Sequence, residues 1–169
     1  MDLYKHIHPQ LTREQQENFV RLGRHLVMTV DDPKYETADF NIMHTAMDLM
    51  TGDDLAPDQV SRHEGPLICS PLGHGPRAEI KALQGETWRD YQLRVFGAAF
   101  DSPLEDWLFS HAWAGTDDTA VGAAMRLMYV LDYGVPGNWE AIMHGQAESD
   151  YLDNGFLWDR IGMMRPQRR

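Results

Sequence analysis

Cys69 and His74 stand five residues apart in a stretch crowded with glycine and proline, and His63 lies six residues before the cysteine. A thiol becomes a nucleophile when a nearby base lowers its pKa. A Cys–His pair held in such a loop is what a small hydrolase needs, so Cys69 and His74 are the candidate catalytic residues. The same residues have a plainer use. Cysteine packs readily as a small hydrophobe, and a histidine between two glycines can pin its loop by bonding to the backbone.

The chain holds eight histidines. His6 and His8 alternate near the N-terminus. His44 and Asp48, like His144 and Glu148, are four apart, a spacing that presents two metal ligands on one helix face. These pairs are equally ordinary on a solvated helix. No H-E-x-x-H motif occurs, because His63-Glu64 has no second histidine at the required offset. A single cysteine excludes a multi-thiolate zinc site and an internal disulfide. No metal and no cofactor is expected.

Two carboxylate pairs, Glu105-Asp106 and Asp117-Asp118, have the chemistry to hold Mg²⁺ or to divide acid and base roles. Both fall at expected helix starts, where acids cap backbone N–H groups and complement the helix dipole. Five tryptophans, Trp88, Trp107, Trp113, Trp139 and Trp158, can line a pocket, yet at helical spacing among aliphatics they read as core. Trp107, Trp113, Asp117 and Asp118 are the candidate binding residues of an acidic, aromatic face. Gly73-His74-Gly75-Pro76 lacks the further glycine and the lysine of a phosphate loop. There is no G-x-S-x-G elbow.

The elements that must position these residues are mostly helices. Thr12 and Gln15 have capping-box spacing, and Phe19, Leu22 and Leu26 form an apolar stripe, so a helix is expected over 12–29. Asp31-Asp32-Pro33 ends it. Residues 34–86 are irregular. Within them Phe40, Met43, Met47 and Met50 fit one helical face, the favoured reading, although Phe40 and Ile42 also fit a short strand, and Leu67-Ile68-Cys69 fits another. A helical core is expected over 87–145. Thr87 caps a helix carrying Trp88, Tyr91 and Val95. Ser102-Pro103-Leu104-Glu105 opens the next, with Leu104, Trp107, Leu108 and His111 on its apolar face. Thr116, Asp117 or Asp118 caps a third, whose stripe is Val121, Ala124, Met125, Met128 and Leu131, and Gly134 and Pro136 stop it. Asn138 caps a short helix through Met143. Residues 146–169 form a C-terminal segment. The expected fold is mainly α: a single compact helical domain with an irregular Gly/Pro-rich middle that has room for one short hairpin or strand.

Bulk composition narrows the function by exclusion. Across 169 residues, Lys and Arg total 15 against 26 Asp and Glu, a formal net charge of −11. A general nucleic-acid binder needs the reverse balance to displace counterions from phosphates. The one basic cluster, Arg165, Arg168 and Arg169, lies in a terminal tail. No run approaches the roughly 18 apolar residues of a membrane span, and the N-terminal residues carry no signal-peptide stretch. A cytoplasmic location is expected.

The second half also carries a string of short motifs. Gly73-His74-Gly75-Pro76 follows the cysteine turn. Trp88 and Tyr91, Val95-Phe96-Gly97, Trp107-Leu108-Phe109-Ser110, Trp113, and Asp118-Thr119 leading into Ala123, Ala124 and Arg126 come after it. Over roughly residues 65–140 the chain resembles a family of small bacterial and phage proteins. That family shares a Cys-containing Gly-His turn, an FG pair, a W-L-F-S stretch and an acid–threonine helix start. Here one cysteine stands near the Gly-His where others often carry two. The resemblance implies a bacterial or phage origin and one compact domain, and it assigns no catalytic residue. Charge, composition and motifs together lead to a non-enzymatic acidic protein that binds, and can inhibit, a protein partner. The alternative is a small hydrolase around Cys69 and His74, with or without metal assistance.

Overall fold

Helix α1 spans Arg13–His25 in the computed structural model, which describes residues 5–30, 38–41 and 43–153. Its start is the expected capping box: Gln15 N donates to Thr12 Oγ1, and Thr12 N donates to Gln15 Oε1. Phe19, Leu22 and Leu26 are wholly buried, as their spacing requires. The helix then continues as one π-helical turn over Leu26–Val30. The expected stop at Asp31-Asp32-Pro33, Trp158 and the arginine tail lie outside the described residues.

The fold is mainly α, with six α-helices among the described residues. The middle of the chain is more ordered than expected. Strands β1 (Ala38–Phe40), β2 (Ala46–Asp48) and β3 (Leu67–Cys69) form a three-stranded sheet in the order β1-β3-β2. β1 runs parallel to β3, with Ala38 opposite Leu67, and β2 runs antiparallel to it, with Ala46 opposite Cys69. The strand expected at residues 67–69 is therefore present. The helical face drawn through Phe40, Met43, Met47 and Met50 is not, because the methionine spacing is overridden by pairing to β3. Pro57 begins a short helix α2 (Pro57–Arg62) in what reads from sequence as irregular chain.

The second half holds α3 (Trp88–Phe96), α4 (Pro103–Phe109), α5 (Ala120–Tyr133) and α6 (Trp139–Met143). Thr87 and Ser102 cap α3 and α4 as expected. The cap of α5 is one residue later than any of the three proposed. Thr119 Oγ1 accepts from Gly122 N, and Asp117 supports the cap by accepting from Thr119 N and Oγ1. Asn138 precedes α6 without a side-chain cap bond. α5 is the central helix, packed against α1 and α4. Its buried residues include Ala123, Leu127 and Val130 as well as Ala124 and Met128, while Val121, Met125 and Leu131 are only partly covered. A helix that is apolar nearly all round is enclosed on several sides, so a single stripe underdescribes it.

Two apolar clusters result. The larger joins α1 and α3–α6, and the smaller gathers Ala46, Val60, Leu67 and Cys69 under the sheet. Trp88 packs against both and donates its indole N–H to Leu55 O at 2.8 Å. Among the described residues no helix is long and apolar enough to cross a membrane.

Candidate binding cleft

The turn after β3 is built around two positions where a side chain cannot fit. A Cβ on Gly73 would lie 1.7 Å from Thr45 O, and one on Gly75 would lie 2.6 Å from the Tyr91 hydroxyl. Both contacts are structural: Thr45 O accepts from Ser70 N, and the Tyr91 hydroxyl donates to Ile80 O at 2.6 Å. The turn is thereby clamped between β2 and α3. His74, between the two glycines, is wholly buried, and its Nδ1 lies 3.3 Å from His25 Nε2 at the end of α1. Cys69 is wholly buried as well and packs with Ala46, Val60 and Leu67. The two candidate catalytic residues thus share one turn while neither reaches solvent.

Beside this turn lies an open cleft of about 370 Å³, walled by Thr45, Ser70 and Leu72 on one side and by α3 and α4 on the other. α3 contributes Trp88, Arg89 and Gln92, and α4 contributes Glu105, Asp106 and Phe109. The Arg89 guanidinium lies 3.6 Å from the ring centroid of Phe100, which is 58% exposed at the mouth. Glu105 is held from two sides, accepting from Asp101 N at 3.0 Å and from the buried Gln92 side-chain amide. Asp106 Oδ2 accepts from Trp139 Nε1, and the Asp106 carbonyl accepts from Trp113 Nε1. The acids in the first turn of α4 therefore bond to neighbouring segments, while Ser102 caps the helix, and they also line the cleft. His111 is a correction. α4 ends at Phe109, so His111 opens a 3₁₀ turn, is exposed, and borders the cleft instead of entering the core.

None of the four candidate binding residues lines this cleft. Trp107 and Trp113 are both wholly buried and meet edge to face at 5.4 Å, so the indoles are core. Asp118 is exposed. Asp117 turns inward to a residue that sequence reasoning passed over as a site, Arg126. This arginine sits wholly buried in α5. Its Nη1 donates to Asp117 Oδ2 at 3.1 Å and to the Tyr151 hydroxyl at 3.4 Å, and its guanidinium carbon lies 4.1 Å over the Trp113 ring. The Tyr151 hydroxyl itself donates to Asp117 Oδ2 at 2.7 Å. The signal was present as an arginine inside the otherwise apolar run from Ala120 to Leu131.

The charges of this group are set by each other. Burial pushes the Asp117 carboxyl up, but hydrogen bonds from Thr119 and Tyr151 and the Arg126 charge outweigh it, and the pKa falls below the ordinary value. Burial, and then the bond to Asp117, push the Tyr151 phenol up to about 12. Asp117 is thus ionised and Tyr151 neutral throughout the physiological range.

A second, larger hollow of about 680 Å³ opens between α1 and α3, near Arg21, Lys81, Arg94, Glu14 and Glu79. Its strongest charges are already matched: Arg94 forks onto Glu86 at 2.8 Å through two nitrogens, and Arg21 pairs with Glu17. His63 Nε2 lies 3.2 Å from Asp48 Oδ2, an ion-pair distance off the hydrogen-bonding line. No cluster of three or more metal-ligating side chains occurs among the described residues. Comparison with family models, with curated proteins and with solved structures gives no match to this chain. The likeness noted for residues 65–140 stands on its quoted motifs alone.

Proposed function

We propose that this protein acts by binding a macromolecular partner, and that a basic, partly apolar segment of a protein seats in the cleft between the Ser70 turn and helices α3 and α4. The observation that carries the reading is the pairing of fixed carboxylates, Glu105 and Asp106, with the exposed ring of Phe100 around one open concavity. Held groups lose little freedom on binding, which favours recognition. The net charge of −11 adds a long-range attraction for a basic partner. The likeness to bacterial and phage proteins supports a partner in the bacterial cytoplasm.

The hydrolase alternative draws less support. A nucleophile must reach its substrate, and both Cys69 and His74 are wholly buried. The test is affinity capture from a bacterial lysate at low and high salt, with wild type beside Phe100→Ala and Glu105→Gln. A partner retained by wild type, released by salt and lost with Phe100→Ala supports the reading. A partner captured equally by all three proteins, or none at all, contradicts it.

A further inference from the structure

We propose that the group seated in the cleft is an arginine side chain of the partner, and that Arg89 is a built-in competitor for its place. The inference rests on the reading of the cleft as a binding site and names what fills it. A guanidinium, that of Arg89, already lies 3.6 Å from the Phe100 ring centroid in this cleft. Arg89 is exposed and makes no hydrogen bond or ion pair among the described residues, so the ring face is what holds it. A contact of that kind at an exposed site is weak and readily exchanged.

The ring is presented by a fixed loop. Phe100 is 58% exposed. The next residue, Asp101, has φ 59°, a left-handed value uncommon outside glycine. Its N–H donates to Glu105 Oε1, and Ser102 Oγ donates to Ala99 O. The backbone is therefore tied down on both sides of the ring.

The cleft also carries acceptors that no donor of the chain uses. Gln92 is only 3% exposed, and it walls the cleft. Its Nε2 donates to Glu105 Oε2. A carboxylate only accepts, so the amide nitrogen must face it, and Gln92 Oε1 is left without a donor among the described residues. Asp106 Oδ2 accepts from Trp139, and Oδ1 likewise has no donor there. Free acceptors beside two carboxylates call for a cation rich in N–H groups. A guanidinium offers five in one plane and stacks on aromatic faces, whereas an ammonium offers three from a compact charge. Leu72, Trp88 and Phe109 wall the same cleft and suit the apolar stem of an arginine. The incoming guanidinium takes the ring face and the acceptors, and like charge drives Arg89 off into solvent.

The experiment titrates the full chain with a capped peptide, acetyl-Gly-Arg-Leu-Gly-amide, at low salt, following backbone amide shifts by NMR. Control peptides carry lysine or citrulline, the uncharged isostere, in place of the arginine. The arginine peptide should shift residues of α3 and α4, the lysine peptide should bind more weakly, and the citrulline peptide should not bind. Arg89→Ala should tighten arginine binding by about two- to fivefold, the worth of an exposed cation–π contact. Arg13→Ala, an equal change of net charge at an exposed position on α1, should leave it unchanged. An arginine peptide bound no better than its controls overturns the inference, and so does tightening by Arg89→Ala no greater than by Arg13→Ala. Failure of the arginine peptide to bind at all overturns it too, while Phe100-dependent capture of a partner from lysate would still leave the cleft reading in place.

Discussion

Arg126 Nη1 lies 3.1 Å from Asp117 Oδ2, and the carboxylate reaches that position only because residue 122 has no side chain. A Cβ on Gly122 would stand 2.0 Å from the same oxygen. The first turn of α5 is thus cut away to let an acid from the preceding loop meet a buried arginine one and a half turns along. Tyr151 closes the group from the far end of the described chain.

Asp117→Asn removes the only carboxylate among the described residues that faces this wholly buried guanidinium. Breaking one side of a buried ion pair strands the other charge, and the expected loss is about 3–5 kcal/mol of folding stability. Urea denaturation measures it. Combining Asp117→Asn with Arg126→Met should recover part of the loss, because the stranded charge is then gone.

Gly122→Ala separates packing from propensity. Alanine is favoured over glycine in a helix by about 1 kcal/mol. Here the added methyl meets the Asp117 carboxylate, so destabilisation by about 1–3 kcal/mol is expected instead. A gain in unfolding temperature would mean that the carboxylate does not sit against the helix.

Acid should loosen the same group. The Asp117 pKa is lower in the folded chain than its ordinary value, as is that of Glu86, which accepts from Arg94. For a depressed acid, the native state binds fewer protons than the unfolded state. Its contribution is present above the unfolded pKa and is lost as pH falls through the folded value. Stability should therefore fall below about pH 4, and the fall should be smaller in Asp117→Asn. Urea midpoints at pH 7 and pH 3 check the sign. On the alkaline side, Tyr151 should ionise only near its raised value of about 12, later than an exposed tyrosine in an ultraviolet titration.

What was legible in the sequence follows how local each feature is. Caps at Thr12, Thr87 and Ser102 are set by bonds within three residues, and all three are present. The strand at Leu67–Cys69 stood out between glycine and proline signals. Residues 40–50 misled because methionine spacing mimics a helix while the deciding partner, β3, lies about twenty residues on. Asp117 and His74 were singled out as chemistry-bearing residues, but their partners Arg126 and His25 were not. Those pairings span 9 and 49 residues and exist only once α1, α5 and the turn are packed. The cleft was invisible for the same reason, since Ser70, Arg89 and Glu105 meet only across the fold.

Phe100 is exposed and lies outside the apolar clusters. Phe100→Ala should change stability by no more than about 0.5 kcal/mol while weakening partner capture. A large stability loss would make Phe100 a packing residue and remove it from the binding surface.

Site-specific photocrosslinking tests the binding account most directly. A photoreactive phenylalanine analogue is placed at Phe100 in one protein and at Lys81, beside the larger hollow, in another. Both are irradiated in living bacterial cells and the adducts resolved by mass. The account predicts a discrete protein adduct from position 100 that Glu105→Gln diminishes in cells and that added salt diminishes when the irradiation is repeated in lysate, and none from position 81. No adduct at 100, or the same adduct from both positions, would contradict it.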